Sequence, residues 1–178
     1  LTPTLALPFL DCGDGLALKA LTEADLPVIA GMLRDPDISE WYGDDHAESL
    51  AEIADHIDDP MVAPFLVTLN GAPIGYLQAY HANRDAFWQA FGVPAETWGL
   101  DMMLAAHRGQ GLGRRLCRHM IDYLFTLPGV VRVQIDPDPE NLRAVRCYAA
   151  AGFKPRGIMP GYDGVQMVYM TVERVSGP

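Results

Sequence analysis

The chain is short of several things, and each shortage excludes a class of protein. Its three cysteines, Cys12, Cys117 and Cys147, are odd in number and lack metal-ligand spacing, so reduced thiols in a cytoplasmic setting are expected. His46, His56, His81, His107 and His119 show no metal spacing either, and no metal is implied. No uninterrupted apolar run approaches transmembrane length, and no basic region precedes the first apolar residues as a signal peptide requires. Positive charge is scarce: 13 lysines and arginines stand against 23 acidic residues, a net charge of -10. That balance argues against nucleic acid or an anionic membrane as partner and favours a cationic ligand, though an acidic surface also simply aids solubility. Internal repeats and linkers are absent. The 178 residues are expected to form one domain, 1–178, with a Pro- and Gly-punctuated irregular arm over residues 1–15.

What the chain does have is a distinctive stretch from Trp98 to Gly113. Leu100 to Ala106 is an apolar run that reads as a buried strand. Glycines follow at 109, 111 and 113, and then an amphipathic helix from Arg114 carries Leu116, Cys117, Met120, Ile121 and Leu124 on one face. A glycine loop at a helix start directs free backbone N–H groups at one spot, at the positive end of the helix dipole. Arg108, Arg114 and Arg115 add charge there, so a bound anion is one reading; a strand–helix turn with solvated arginines is the other. The loop lacks the Gly-Lys-Ser/Thr of a Walker A motif, and its glycine spacing is not that of a dinucleotide fingerprint. It matches Arg-x-x-Gly-x-Gly (Arg108, Gly111, Gly113), which resembles the pyrophosphate loop of GNAT-type N-acetyltransferases, the enzymes that use acetyl-coenzyme A.

Taken in order, Leu16 to Leu21 reads as a short strand, and Thr22 caps a helix from about Glu23 to Arg34 that Asp35-Pro36-Asp37 stops. Glu40 to His46 brings Trp41 and Tyr42 together with Asp44 and Asp45 ahead of a helix over about Glu48 to Ile57. The cluster is either a ligand wall or a helix cap with tucked aromatics. Residues 64–69 and 73–80 flank Asn70-Gly71 as a hairpin. Residues 81–97, with Asp85, Phe87, Trp88 and Phe91, are loop-like, and could cover a site or be a surface excursion. Val130 to Asp136 alternates as a strand, parallel to its predecessor by the crossover rule. Asp138-Pro139-Glu140 opens a helix through Ala151, with proline at its first position, and Gly152 ends it. Phe153 to Met159 and Val165 to Val172 make a last strand pair. The class is α/β with a mixed sheet.

This order of elements resembles the GNAT fold, which implies one twisted mixed sheet of six to seven strands with a splayed central parallel pair. Asn141, Ala144, Tyr148, Gly152 and Phe153 match a second signature of that family, Asn-x-x-Ala-x-x-x-Tyr-x-x-x-Gly-Phe. Within the family the chain is most similar to the aminoglycoside 6'-N-acetyltransferases. The shared features are Glu-Trp-aromatic-Gly at 40–43, Asn-Gly-x-Pro-Ile-Gly-Tyr at 70–76, Gly-x-Asp at 99–101, Asp-Pro-x-Pro-x-Asn-Leu-Arg-Ala-x-Arg-Cys-Tyr at 136–148, and Asp163-Gly164. Departures concentrate in residues 81–97.

Asp101 interrupts an apolar strand, where a carboxylate is expensive to bury unpaired, so it should face a polar cleft together with Met103. There it could take the proton of an attacking amine; a structural ion pair is the alternative. Asp136 lies at the carboxyl end of the neighbouring strand, where α/β sheets place ligands, or else caps the next element. Tyr148 lies two helical turns past Asn141 and shares its face. The resemblance implies that Tyr148 protonates the leaving thiolate and that Asn141 meets the pantetheine arm. It also implies that Arg108, Gly109, Gln110, Gly111, Leu112, Gly113 and Arg114 hold the pyrophosphate, while the backbone at Met103 and Leu104 binds the thioester. Trp41, Tyr42, Asp85, Trp88, Asp101, Asp136 and Asp163 are the candidate acceptor contacts; Asp163 by itself reads as the Asp-Gly of a hairpin turn, and its acceptor role is implied by the resemblance. Cys147 reads as packing rather than as a nucleophile. The expected activity is acetyl transfer from acetyl-coenzyme A to a primary amine by a monomer or homodimer. Alternatives are a siderophore-type amine, a polyamine, a protein amine, or coenzyme A binding without catalysis.

Overall fold

A computed structural model of the chain describes residues 5–175, apart from the side chain of Asp163. Fourteen elements follow in order: β1 (Phe9–Asp11), β2 (Leu16–Ala20), α1 (Leu26–Leu33), α2 (Pro36–Tyr42), α3 (His46–Asp55), β3 (Val62–Leu69), β4 (Ala72–His81), α4 (Ala86–Phe91), β5 (Thr97–Leu104), α5 (Leu112–Leu124), β6 (Arg132–Ile135), α6 (Leu142–Ala151), β7 (Lys154–Pro160) and β8 (Gln166–Glu173). The strands form one sheet in the order β1-β2-β3-β4-β5-β6-β8-β7, antiparallel except where β5 meets β6. Eight strands stand where six to seven are expected. The extra one is β1, in the segment read as an irregular arm: Phe9, Leu10 and Asp11 pair with Lys19, Leu18 and Ala17. Three residues are too few to show a period, and only their pairing with β2 makes them a strand.

One face of the sheet packs on α5 and α6 through Leu116, Met120, Leu124 and Tyr148, against Leu77, Leu100 and Val133. The other packs on α1, α2 and α3 through Ile29, Leu33, Ile38 and Ile53, against Leu66, Tyr76 and Met103. Strand alternation in β5 therefore divides Leu100 from Met103, and sends Asp101 to the Met103 side.

Three further expectations are corrected here. Asp35-Pro36-Asp37 ends one helix by starting the next: the Asp35 carboxylate accepts from Asp37 N at 3.0 Å and Pro36 fills a first-turn position, where its missing N–H is no loss. Residues 81–97 include α4, capped by Asp85, which accepts from Trp88 N at 3.0 Å. Helix α6 begins at Leu142 rather than at Pro139, with Asn141 as its cap; Asp138 to Asn141 form a turn ahead of it, the Asn141 N–H donating to the Asp138 carbonyl at 3.0 Å.

The feature that positions the site is a gap. β5 pairs with β6 over only three residues, Thr97 to Gly99 against Arg132 to Gln134, and then runs on to Leu104. On that side its backbone has no strand partner among the described residues from Leu100 onward, while β4 stays paired with it as far as Leu104. This is the splayed parallel pair expected from the resemblance.

Candidate active site

Two clefts, about 470 and 700 Å³, open on either side of that splay. They share Trp41, Tyr42, Met102, Asn141, Ala144 and Tyr148. The shared wall is where the two sheet faces communicate.

The smaller cleft is built around the glycine loop. Gly109 and Gly111 have φ of +78° and +77°, and a Cβ at either would meet nothing within 4 Å. The loop is thus bent in a way only glycine adopts freely, and stands open toward the cleft. Met103, Leu104, Arg108, Gly109, Gly111, Leu112, Gly113, Arg114 and Asn141 all line it; Gln110 is exposed and is not among the lining residues. Arg143, Arg146 and Cys147 of α6 complete the wall.

Arg108 has a different engagement from the one expected. Its Nη2 meets Asp35 at 2.6 Å, its Nη1 meets Asp37 at 3.1 Å, and its Nε donates to the Leu104 carbonyl at 2.7 Å. It ties the glycine loop to the start of α2, and its side-chain hydrogen bond holds the Asp35 carboxyl below the ordinary range.

The larger cleft is lined by carboxylates, with Glu52 from α3, Asp85 at the α4 cap, Asp101 on β5, and Asp136 and Asp138 past β6. Arg84 and His56 also face it. Register explains the wall behind Asp101: in the β4–β5 ladder Gln78 stands opposite Asp101, Tyr76 opposite Met103 and Tyr80 opposite Gly99. Cross-strand neighbours share a face, so Tyr76, Gln78 and Tyr80 point where Asp101 points. Gln78 Nε2 donates to Asp101 Oδ2 at 2.7 Å, and the Tyr76 hydroxyl donates to Gln78 Oε1 at 2.6 Å. His56 Nδ1 lies 2.9 Å from the same oxygen.

Burial pushes the Asp101 carboxyl up to about 6, against the Gln78 hydrogen bond that lowers it; Glu52 raises it further and Arg84 lowers it. Asp136 is raised well above the ordinary carboxylate range by burial and then by Asp101 and Asp85. Tyr148 is raised by burial first and next by Cys117 and Tyr42, so its hydroxyl keeps its proton. The Tyr42 hydroxyl, at the junction of the clefts, is buried with no hydrogen-bond partner among the described residues.

Of the expected acceptor contacts, Trp41, Tyr42, Asp85, Asp101 and Asp136 are brought together. Trp88 is not: it is the fully buried residue of α4, its ring packed with Phe87, Phe91 and Tyr169. Its indole belongs to the wall's foundation rather than its surface. The Asp163 side chain lies outside the described residues. Asp45 is a helix cap, accepting from Glu48 N at 3.0 Å, and lines neither cleft. Tyr162 from the same turn as Asp163 does reach the cleft, donating its hydroxyl to Asp85.

Sequence reasoning missed Gln78, Tyr76, Tyr80, Glu52 and His56. The period-two set Tyr76, Gln78, Tyr80 was a usable signal, since polar tips recur on one face of an otherwise apolar strand. Glu52 lies on α3 and His56 caps its C-terminal end, one helical turn on; nothing in their spacing marks them as facing the β4 wall.

The model of the acetyltransferase (GNAT) domain matches residues 22–159. The chain is 37% identical over 171 residues to the aminoglycoside N(6')-acetyltransferase type 1 of Klebsiella pneumoniae, covering 90% of this chain and 84% of that one. Its structure superposes on that of the aminoglycoside acetyltransferase AAC(6')-Ib, solved in complex with coenzyme A and kanamycin. The TM-score is 0.78 at 35% identity, over 89% of this chain and 95% of that one. The spermidine N-acetyltransferase from Vibrio cholerae, solved with coenzyme A and spermine, shares the fold at 22% identity, with a TM-score of 0.70 over 91% and 97% of the two chains. With its glycine loop, its splayed β5–β6 pair and a family match over most of its length, this chain belongs to the GNAT family of acetyltransferases.

Proposed function

We propose that the chain acetylates a primary amine of a polycationic acceptor, and that the acceptor is an aminoglycoside carrying a 6'-amine. The observation that carries this reading is the junction itself: an acidic cleft with an aromatic rim opens, at Tyr42 and Tyr148, onto a cleft edged by arginines and glycine-loop amides. The identity to aminoglycoside 6'-N-acetyltransferases supports the same acceptor.

The smaller cleft fits acetyl-coenzyme A. Open glycines at 109 and 111 let phosphates approach backbone N–H groups at the start of α5, and Arg114 adds positive charge. The unpaired side of β5 at Met103 and Leu104 supplies backbone groups for the pantetheine amides, with Asn141 opposite. When bound, acetyl-coenzyme A supplies an acetyl thioester, already activated toward an amine. The chain's own residues do the rest. Asp85, Asp136 and Glu52 attract and orient ammonium groups, and Trp41 and Tyr42 offer faces to sugar rings. Asp101 takes the amine's proton, being ionised near neutral pH yet basic enough to accept it. Tyr148 holds a proton at its hydroxyl that it can release to a departing thiolate. Acetyl transfer of this kind belongs in the cytoplasm, where the donor is made.

The test is a panel of amines assayed by release of free coenzyme A thiol: kanamycin, its 6'-hydroxyl analogue, spermidine and N-hydroxylysine. Kanamycin is expected to turn over, and the hydroxyl analogue to bind without turnover. Turnover of N-hydroxylysine alone, or no binding of any polycation, would sink the reading. Efficient turnover of spermidine would favour a polyamine acceptor, which the same carboxylates suit, over an aminosugar.

A further inference from the structure

We infer that His56 and Gln78 act as a positioning pair for Asp101: His56 and Tyr76 lock the Gln78 amide, and the amide holds one oxygen of the Asp101 carboxylate so that the other faces the acceptor. The inference rests on the reading of Asp101 as the proton acceptor, and adds to it two residues on β4 and α3.

Hydrogen-bond polarity makes the arrangement one-way. An ionised carboxylate only accepts, so the group that Gln78 presents to Asp101 Oδ2 at 2.7 Å is its NH2. Its carbonyl oxygen then faces the other way and receives two donors, the Tyr76 hydroxyl at 2.6 Å and His56 Nδ1–H at 2.9 Å. Both lone pairs of Oε1 are thereby used. A flipped amide would set its oxygen against the carboxylate, which has no proton to give, so the Asp101 contact fixes the amide and makes Tyr76 and His56 the donors to its carbonyl. All three partners are buried: Tyr76 is 1%, His56 4% and Gln78 9% exposed. Contacts out of water are strong when complete and costly when broken.

The same geometry assigns the histidine tautomer. Nδ1 carries the proton, and Nε2 looks toward Glu52 Oε1 at 3.9 Å. Burial, and secondarily Arg84, lowers the His56 pKa, so the ring is neutral near neutral pH and its single proton is the one given to Gln78. A primary amide cannot pass a proton onward without tautomerising, so the pair orients the base and does not relay the proton away.

The charged groups that look onto Asp101 are Glu52 from α3 and Arg84 ahead of α4; the Asp136 carboxyl past β6 is itself raised well above the ordinary range, by burial and then by Asp101 and Asp85. The neutral ones are His56, the phenols of Tyr42, Tyr76, Tyr80, Tyr148 and Tyr162, and Gln78. Burial and the Glu52 charge oppose ionisation of Asp101. Gln78 is the hydrogen bond that works against them, so its removal has a defined direction: Asp101 must become harder to ionise.

The experiment follows the Asp101 carboxyl itself by 13C NMR titration, its signal assigned by loss in Asp101→Asn, alongside the pH profile of kcat/KM for the amine. In Gln78→Leu the Asp101 midpoint should move up by about one pH unit, and the acid limb of the profile should move with it. In His56→Ala both should move the same way by less, because Tyr76 still holds the amide. The KM for acetyl-coenzyme A should stay put in both. A merely structural role would lower activity evenly at every pH and leave the midpoint where it was; that result in a folded variant overturns the inference. If Gln78→Leu does not fold, the midpoint in His56→Ala decides. The underlying reading fails separately, by wild-type turnover in Asp101→Asn.

Discussion

At the residue scale, a buried carboxylate sets function against stability. Asp101 is pushed from the ordinary carboxylate value of 3.8 up to about 6, burial being the main cause. Across that interval the folded chain keeps a proton that the unfolded chain has released, so stability falls as pH rises from about 4 to about 6. Above that window the penalty is fully present, at most roughly 3 kcal/mol. Asp101→Asn can still accept the Gln78 hydrogen bond but carries no charge to desolvate. The variant is therefore expected to melt higher than wild type near pH 8 and to match it near pH 4, while kcat/KM for the amine falls about a hundredfold or more. A Tm difference that does not change with pH would mean that desolvation is not what raises Asp101. Arg108 teaches a complementary lesson. In sequence it stands beside the glycines and reads as a phosphate ligand, but Asp35 and Asp37, some seventy residues earlier, reach it first in the fold.

At the element scale, the acceptor wall depends on the match between β4 and β5. Gly99 stands opposite Tyr80, and a Cβ on Gly99 would lie 2.0 Å from the Tyr80 ring. The ring lies over the bare backbone and, held there, lines the larger cleft. Gly99→Ala must push a fully packed aromatic aside, at a cost of about 1–3 kcal/mol. It should lower Tm and weaken the amine's KM more than that of acetyl-coenzyme A. A variant as stable as wild type, with both KM values unchanged, would show that the ring is free to move. The elements themselves were legible where their period was long enough to see: α5, the β3–β4 hairpin and β5 lie within a few residues of expectation. Those missed are short. β1, α2 and α4 have three, seven and six residues, and each exists because of a partner or cap that a periodicity does not carry.

At the scale of the whole molecule, a net charge of -10 is distributed unevenly over the two clefts. The larger holds Glu52, Asp85, Asp101, Asp136 and Asp138 against Arg84, whereas the smaller is edged by Arg108, Arg114, Arg143 and Arg146 with Asp37. Each cleft thus carries the field opposite to the substrate proposed for it. Raising ionic strength from about 0.01 to about 0.15 M shortens the screening length from roughly 30 to 8 Å. The KM for kanamycin should rise several-fold over that range, and that for a single-amine substrate should rise less. A kanamycin KM indifferent to salt would leave the acidic cleft a solvated surface and nothing more.

The sequence by itself determined the class of fold, the glycine loop and Asp101 as a candidate, because these rest on local patterns: periodicity, glycine spacing and a charge within an apolar strand; the splay and the role of Tyr148 were implied by the resemblance to the GNAT family, carried by its two signatures. It could not say what stands behind Asp101. Gln78 is 23 positions away and His56 is 45, and their bonds exist only because the β4–β5 register and the docking of α3 bring them to one face. The same holds for Trp88, an aromatic that suits a ligand wall but that α4 turns inward into the core beside Tyr80 and Tyr169. Tertiary structure decided these points because hydrogen bonds and burial depend on distance in space, which local pattern does not encode.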